Sequence, residues 1–107
     1  MGKLEHKVAL VTGAGTGIGR ATAIALASEG ANVMVTDINK TEGLATLKKI
    51  EDAGGTGKFF ALDVSKKEQV DQVIQEIFTQ EGSLDLAVNN AGTVSYTHLT
   101  LPTILLV

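Results

Sequence analysis

With 107 residues the chain is bounded to one small domain, and its 44% hydrophobic, 20% charged composition is that of a soluble globular protein. A net charge of −3 gives no reason to expect a nucleic-acid partner. The absence of cysteine excludes disulfide, thiolate and cysteine-zinc chemistry, and the two histidines, His6 and His98, are too few and too far apart to suggest a metal site.

In chain order, residues 7–12 form a short, continuous apolar run, the pattern of a strand buried on both faces. Four glycines follow within seven residues, and a helical pattern begins at once over 18–29. Ile18, Ala21, Ala25 and Leu26 are expected on its apolar face, and Gly30 ends it. Asn32–Asp37 reads as a second strand. Asn39 or Thr41 can cap a second helix running to about Ala53, with Leu44, Leu47 and Ile50 inward and Gly54-Gly55 as its stop. A third strand is expected over 58–62. Ser65 then caps a third helix, with Glu68 completing a capping box and Val70, Val73, Ile74 and Ile77 at helical spacing. Gly82 terminates it, and 84–89 reads as a fourth strand. Alternating strands and helices with short connections predict an α/β fold, a parallel sheet with helices on its faces.

The glycine run carries the chemistry. Glycine lets a backbone approach a ligand closely and turn sharply, and the helix behind it presents free N–H groups and a positive dipole end to a phosphate. A Walker A loop needs a lysine where this chain reads Ile18-Gly19-Arg20, so a P-loop ATPase or kinase is not expected. The strict G-x-G-x-x-G pattern started at Gly13 fails at Ile18. The chain has instead Thr-Gly-x-x-x-Gly-x-Gly, at Thr12, Gly13, Gly17 and Gly19. This segment resembles the cofactor loop of the short-chain dehydrogenases/reductases. Asn89-Asn90-Ala91-Gly92, at the end of the fourth strand, resembles a second motif of that family.

The resemblance runs from Lys7 to Gly92 and implies the N-terminal half of a doubly wound (Rossmann) domain. About four strands in order 3-2-1-4 and three helices are expected, with a dinucleotide at the carboxyl edge where the order reverses. Carried onto this sequence, the implied cofactor-binding residues are Gly13, Thr16, Gly17, Ile18, Gly19, Asp37, Asp63, Val64, Asn90, Ala91 and Gly92. Asp37, which ends the second strand, can accept hydrogen bonds from both adenosine ribose hydroxyls and repels a 2′-phosphate, so NAD is expected over NADP. Thr16 agrees, because NADP-preferring relatives often carry a basic residue there, and Arg20 is expected to face away. The Asp63-Val64 pair is implied to meet the adenine, with a helix-capping turn beside Ser65 as the competing use of Asp63.

No catalytic residue is assigned. Family members run to about 250 residues, and their serine, Tyr-x-x-x-Lys pair and supporting asparagine lie in the later half. Here the position four after Tyr96 is Thr100, and no lysine follows Lys67. The uncharged segment 93–107 is expected to be irregular and foreign to the family, from a frameshift, an assembly junction or a truncated gene model; a natural apolar edge strand is the alternative. With only the third helix over one face of the sheet, exposed apolar surface, an unpaired fourth strand and poor solubility are expected. The expected function is the cofactor-binding part of an oxidoreductase that interconverts a secondary alcohol and a ketone when complete. A non-catalytic NAD(H)-binding module and a product without function are the alternatives. The complete protein is expected to be a homo-oligomer, dimer or tetramer. The N-terminus shows no apolar signal segment and fifteen tail residues cannot span a bilayer as a helix, so a cytoplasmic protein without a membrane partner is expected.

Overall fold

β1 (Val8–Thr12), α1 (Gly17–Ser28), β2 (Asn32–Asp37), α2 (Lys40–Asp52), β3 (Thr56–Ala61), α3 (Lys67–Glu81), β4 (Leu86–Asn89) and β5 (Leu105–Leu106) follow one another along the chain. They are seen in a computed structural model that describes residues 2–90 and the backbone of 105–106. The strands form one sheet in order β3-β2-β1-β4-β5, and every pairing is parallel. The first four strands therefore have the expected order 3-2-1-4, with β1 at the centre and the order reversing on its two sides.

Strand periodicity divides the core. Val8 and Leu10 of β1, with Met34 and Ala87, face the Val70, Val73, Ile74 and Ile77 stripe of α3. Ala9 and Val11, with Val33 and Val35, face Ala23 and Ala27 of α1 and Ile50 of α2. Successive side chains of a strand point to opposite faces, so a strand covered on both sides must be apolar throughout. All five residues of β1 are buried.

The expected α3 stripe is the buried one, but the other two helices sit rotated from expectation. In α1 the buried residues are Gly19, Ala23 and Ala27, while Ile18 is 77% exposed and Ala21 and Ala25 are also exposed. In α2 they are Gly43, Thr46 and Ile50; Leu44 is exposed and Leu47 half-buried. Both helices present small residues to the sheet, which lets them approach closely. A Cβ on Gly43 would overlap the Phe59 ring.

Asn39, not Thr41, caps α2, its side-chain oxygen accepting from the Glu42 N–H at 3.0 Å. The Ser65 capping box does not form: the cap position of α3 is Lys66, without a side-chain capping bond. Ser65 is drawn backward instead, its hydroxyl donating to Asp63 Oδ1 at 2.6 Å.

On the α3 side Val8, Leu10, Met34 and Ala87 are each 5% exposed or less. The expected open apolar face is therefore not there. Partly open apolar residues lie on the α1 side of β4, at Leu86 and Val88. The outer edge of β4 is not left bare either, because β5 pairs with it at Leu86↔Leu105 and Ala87↔Leu106. The tail segment expected to be irregular thus contributes a two-residue edge strand.

Candidate functional site

The loop between β1 and α1 lies at the carboxyl ends of the strands, beside the point where the strand order reverses. Gly17 starts α1 at φ +58, a left-handed conformation that favours glycine. Gly19 is buried two residues on, and a Cβ there would overlap the carbonyl oxygen of Gly13, so the helix and the loop are in backbone contact.

The loop is held from below by its carbonyl groups. Asn90 Nδ2 donates to Gly13 O at 3.1 Å. Thr46 Oγ1 donates to Ala14 O at 2.8 Å and lies 3.3 Å from Gly15 O. Thr46 is itself fixed by Arg20 Nε, which donates to the same hydroxyl at 2.8 Å. Arg20 packs against α2, with Nη2 donating to Glu42 O at 3.2 Å and 3.9 Å from Glu42 Oε1. Thr12 Oγ1 reaches across to β4, 3.3 Å from Asn89 Oδ1 and 3.4 Å from Val88 O.

The opposite side of the loop carries donors. The first-turn N–H groups of a helix have no intrahelical acceptors. In α1 the Thr16 side chain makes no capping bond, and there is no acidic residue in the first turn. The positive end of the helix is thus neither capped by the Thr16 side chain nor faced by a carboxylate in its own first turn, an arrangement suited to an anion. Thr16, Gly17 and Ile18 are exposed there.

Asp37 stands beside this end of the loop. Its Oδ2 accepts from the Gly15 N–H at 2.8 Å and its Oδ1 from the Asn39 N–H at 2.8 Å. Each carboxylate oxygen has two acceptor sites, so both keep one for further donors. The combination of a fixed carboxylate and a bare helix N-terminus can bind a diol and a diphosphate together.

Asp63 and Val64 follow β3, both half-buried. Asp63 Oδ1 accepts from the Ser65 hydroxyl and, at 3.0 Å, from the Ser65 N–H, while the Asp63 N–H donates to Gln69 Oε1 at 3.0 Å. The Ser65 hydroxyl and then its N–H hold the Asp63 carboxyl below the ordinary aspartate range against the opposing effect of burial, and the Lys66 cation adds a lesser contribution in the same direction as Ser65. A depressed folded value means that the turn's contribution is complete above the unfolded aspartate value and is lost as pH falls through the folded one. The Asp63 carboxyl-carbon signal in an NMR titration is therefore expected to have a midpoint below that of an ordinary aspartate, and Ser65→Ala should raise it. An unchanged midpoint in that variant contradicts the assignment.

Of the residues expected at the site, Gly13, Thr16, Gly17, Ile18, Gly19, Asp37 and Asn90 gather around this one loop, and Asp63 and Val64 stand past the end of β3. Ala91 and Gly92 lie outside the described residues. Sequence reasoning missed Thr46, Glu42 and the structural use of Arg20. A threonine at a buried position of an amphipathic helix was the available signal, since its hydroxyl needs a partner. Among the described residues there is no cluster of metal-ligating side chains and no helix long and apolar enough to cross a membrane.

The sequence matches the family model for short chain dehydrogenase over residues 7–103, past Gly92. It is 49% identical over 94 residues to a 3beta-hydroxysteroid dehydrogenase of Mediterraneibacter gnavus, covering 88% of this chain and 34% of that protein. It is 48% identical over 90 residues to the short chain dehydrogenase/reductase astE of Aspergillus oryzae, covering 83% of this chain and 34% of the relative. Among solved structures, a short chain dehydrogenase from Mycobacterium avium superposes with a TM-score of 0.80 at 38% identity, covering 89% of this chain and 36% of the other. The chain spans about a third of the length of the curated relatives it matches.

Proposed function

The chain belongs to the short chain dehydrogenase family, and from that premise we propose that it carries the adenosine and diphosphate part of an NAD site. The whole protein is then an oxidoreductase interconverting a secondary alcohol and a ketone. In this reading the Asp37 carboxylate accepts from the adenosine ribose hydroxyls. The first-turn N–H groups at Gly17, Ile18 and Gly19, with Thr16, receive the diphosphate, and Gly13 shapes the turn beneath it. Asp63 and Val64 border the adenine, with Asp63 offering Oδ2 because Oδ1 is held by Ser65. Asn90, Ala91 and Gly92 line the adenosine side.

The observation that carries the proposal is the Asp37 carboxylate anchored on the Gly15 N–H beside an uncapped helix N-terminus. Bound NAD supplies a nicotinamide that accepts or donates hydride. The residues described here hold and orient the other end of that molecule, and none of them is assigned a proton-transfer role. A homo-oligomeric state, dimer or tetramer, and a cytoplasmic location go with this reading.

Calorimetry with the purified chain tests it. NAD is expected to bind, and NADP about tenfold or more weakly, because a 2′-phosphate set against a fixed carboxylate meets like-charge repulsion. Absence of NAD binding, or tighter binding of NADP, overturns the proposal. Turnover of secondary alcohols by the whole protein with NAD tests the reaction.

A further inference from the structure

Asp37 is not the only carboxylate at the loop. A Cβ on Gly15 would lie 2.7 Å from Asp37 Oδ2 and 2.9 Å from Glu42 Cβ, so these two acidic residues flank the same point of the backbone. Glu42 belongs to the first turn of α2, where its N–H is held by the Asn39 cap and its carbonyl by Arg20. Its carboxylate lies 3.9 Å from Arg20 Nη2, with the Arg20 side chain 25% and the Glu42 side chain 41% exposed. Arg20 is thus a cation close to the coenzyme loop, with its charge directed to Glu42 and its Nε to Thr46.

We propose that Glu42 is a second specificity-determining residue: it adds negative charge beside Asp37 and keeps the Arg20 guanidinium from serving a 2′-phosphate. This rests on the NAD assignment. Repulsion between a carboxylate and a phosphate dianion acts over several ångströms and is screened by salt. The ribose hydroxyls of NAD carry no charge, so Glu42 touches the two coenzymes unequally. Lys40, exposed at the head of α2, is the other cation of this turn, and it is common to every variant compared.

The test is the ratio of NADP to NAD affinity in the full chain, measured by calorimetry at low and high salt for Glu42→Gln, Glu42→Lys and Glu42→Asp. The Glu42 side chain is 41% exposed, and its backbone bonds do not depend on its carboxylate. Glu42→Gln is expected to leave NAD affinity within about twofold and to raise NADP affinity roughly tenfold at low salt, less at high salt. Glu42→Lys should raise it further, and Glu42→Asp should behave as the unaltered chain. A ratio unmoved in Glu42→Gln and Glu42→Lys, with NAD still bound, overturns this inference alone. Equal losses for both coenzymes also overturn it, since they indicate a purely structural role. Failure of the unaltered chain to bind NAD overturns the NAD assignment and this inference with it.

Discussion

Asp37→Ala is expected to lower NAD affinity at least roughly 10- to 100-fold, the effect of losing one hydrogen bond to a charged acceptor at about 1.5–3 kcal/mol. The side chain has two duties. It is proposed to accept from the ribose hydroxyls, and it already accepts from the Gly15 and Asn39 N–H groups. Gly15 is buried, so its N–H loses an acceptor that water does not easily replace, and unfolding stability should fall by about 1–3 kcal/mol. The Asn39 N–H is exposed and should cost little. Asp37→Asn keeps the shape but disturbs both duties. An amide offers one oxygen and one NH2, and each carboxylate oxygen now faces a backbone donor, so one of the two bonds becomes a donor–donor conflict. Asp37→Asn should therefore be destabilising as well, despite its shape. It also removes the charge that disfavours a 2′-phosphate, so NADP should gain on NAD in this variant even as NAD weakens. Calorimetry with both coenzymes, with urea midpoints for stability, checks the set. Unchanged NAD affinity in Asp37→Ala would remove the ribose from the proposal.

The strand order and the α3 stripe were legible because both follow from strong local periodicity: β1 is apolar throughout, and Val70, Val73, Ile74 and Ile77 recur at helical spacing. The faces of α1 and α2 were not. A count of apolar residues selects Ile18, Ala21, Ala25 and Leu26, or Leu44, Leu47 and Ile50, as the inward set, and of these only Ile50 is fully buried. Burial instead follows the residues that allow close approach, Gly19, Ala23 and Ala27 in one helix and Gly43 and Thr46 in the other. Hydrophobicity alone does not register that preference, because glycine and threonine score poorly on it. The loop was recognisable from its glycine spacing, but its supports were not, since Arg20 and Thr46 are 26 residues apart and Asn90 and Gly13 are 77 apart. Ser65 was misread for a local reason. Asp63, two residues earlier, accepts from both the Ser65 hydroxyl and its N–H, which turns the Ser65 side chain back toward Asp63 and away from the helix end.

Gly17 and Gly19 should respond differently to the same added methyl group, and the difference locates the ligand. At Gly19 the methyl would overlap Gly13 O and lie 2.6 Å from Asn90 Nδ2, two partners already bonded to each other. Neither can retreat without opening the loop or lifting α1 from it. Gly19→Ala is therefore expected to cost roughly 3 kcal/mol of stability, the upper end for overpacking, a large part of a small domain's total. At Gly17 nothing among the described residues lies within 4 Å of the methyl, so none of their packing is disturbed. Only the left-handed backbone, φ +58, is strained, at about 1–2 kcal/mol. The open space at Gly17 lies where α1 presents its uncapped N–H groups, the place proposed for the diphosphate. Gly17→Ala should then fold, with a modest fall in the urea midpoint, and lose NAD affinity by about tenfold or more, as expected when a methyl displaces a charged group from its donors. A Gly17→Ala chain that binds NAD normally would show that the diphosphate lies elsewhere. A Gly19→Ala chain as stable as the original would show that the contact between α1 and the loop is not what requires glycine there.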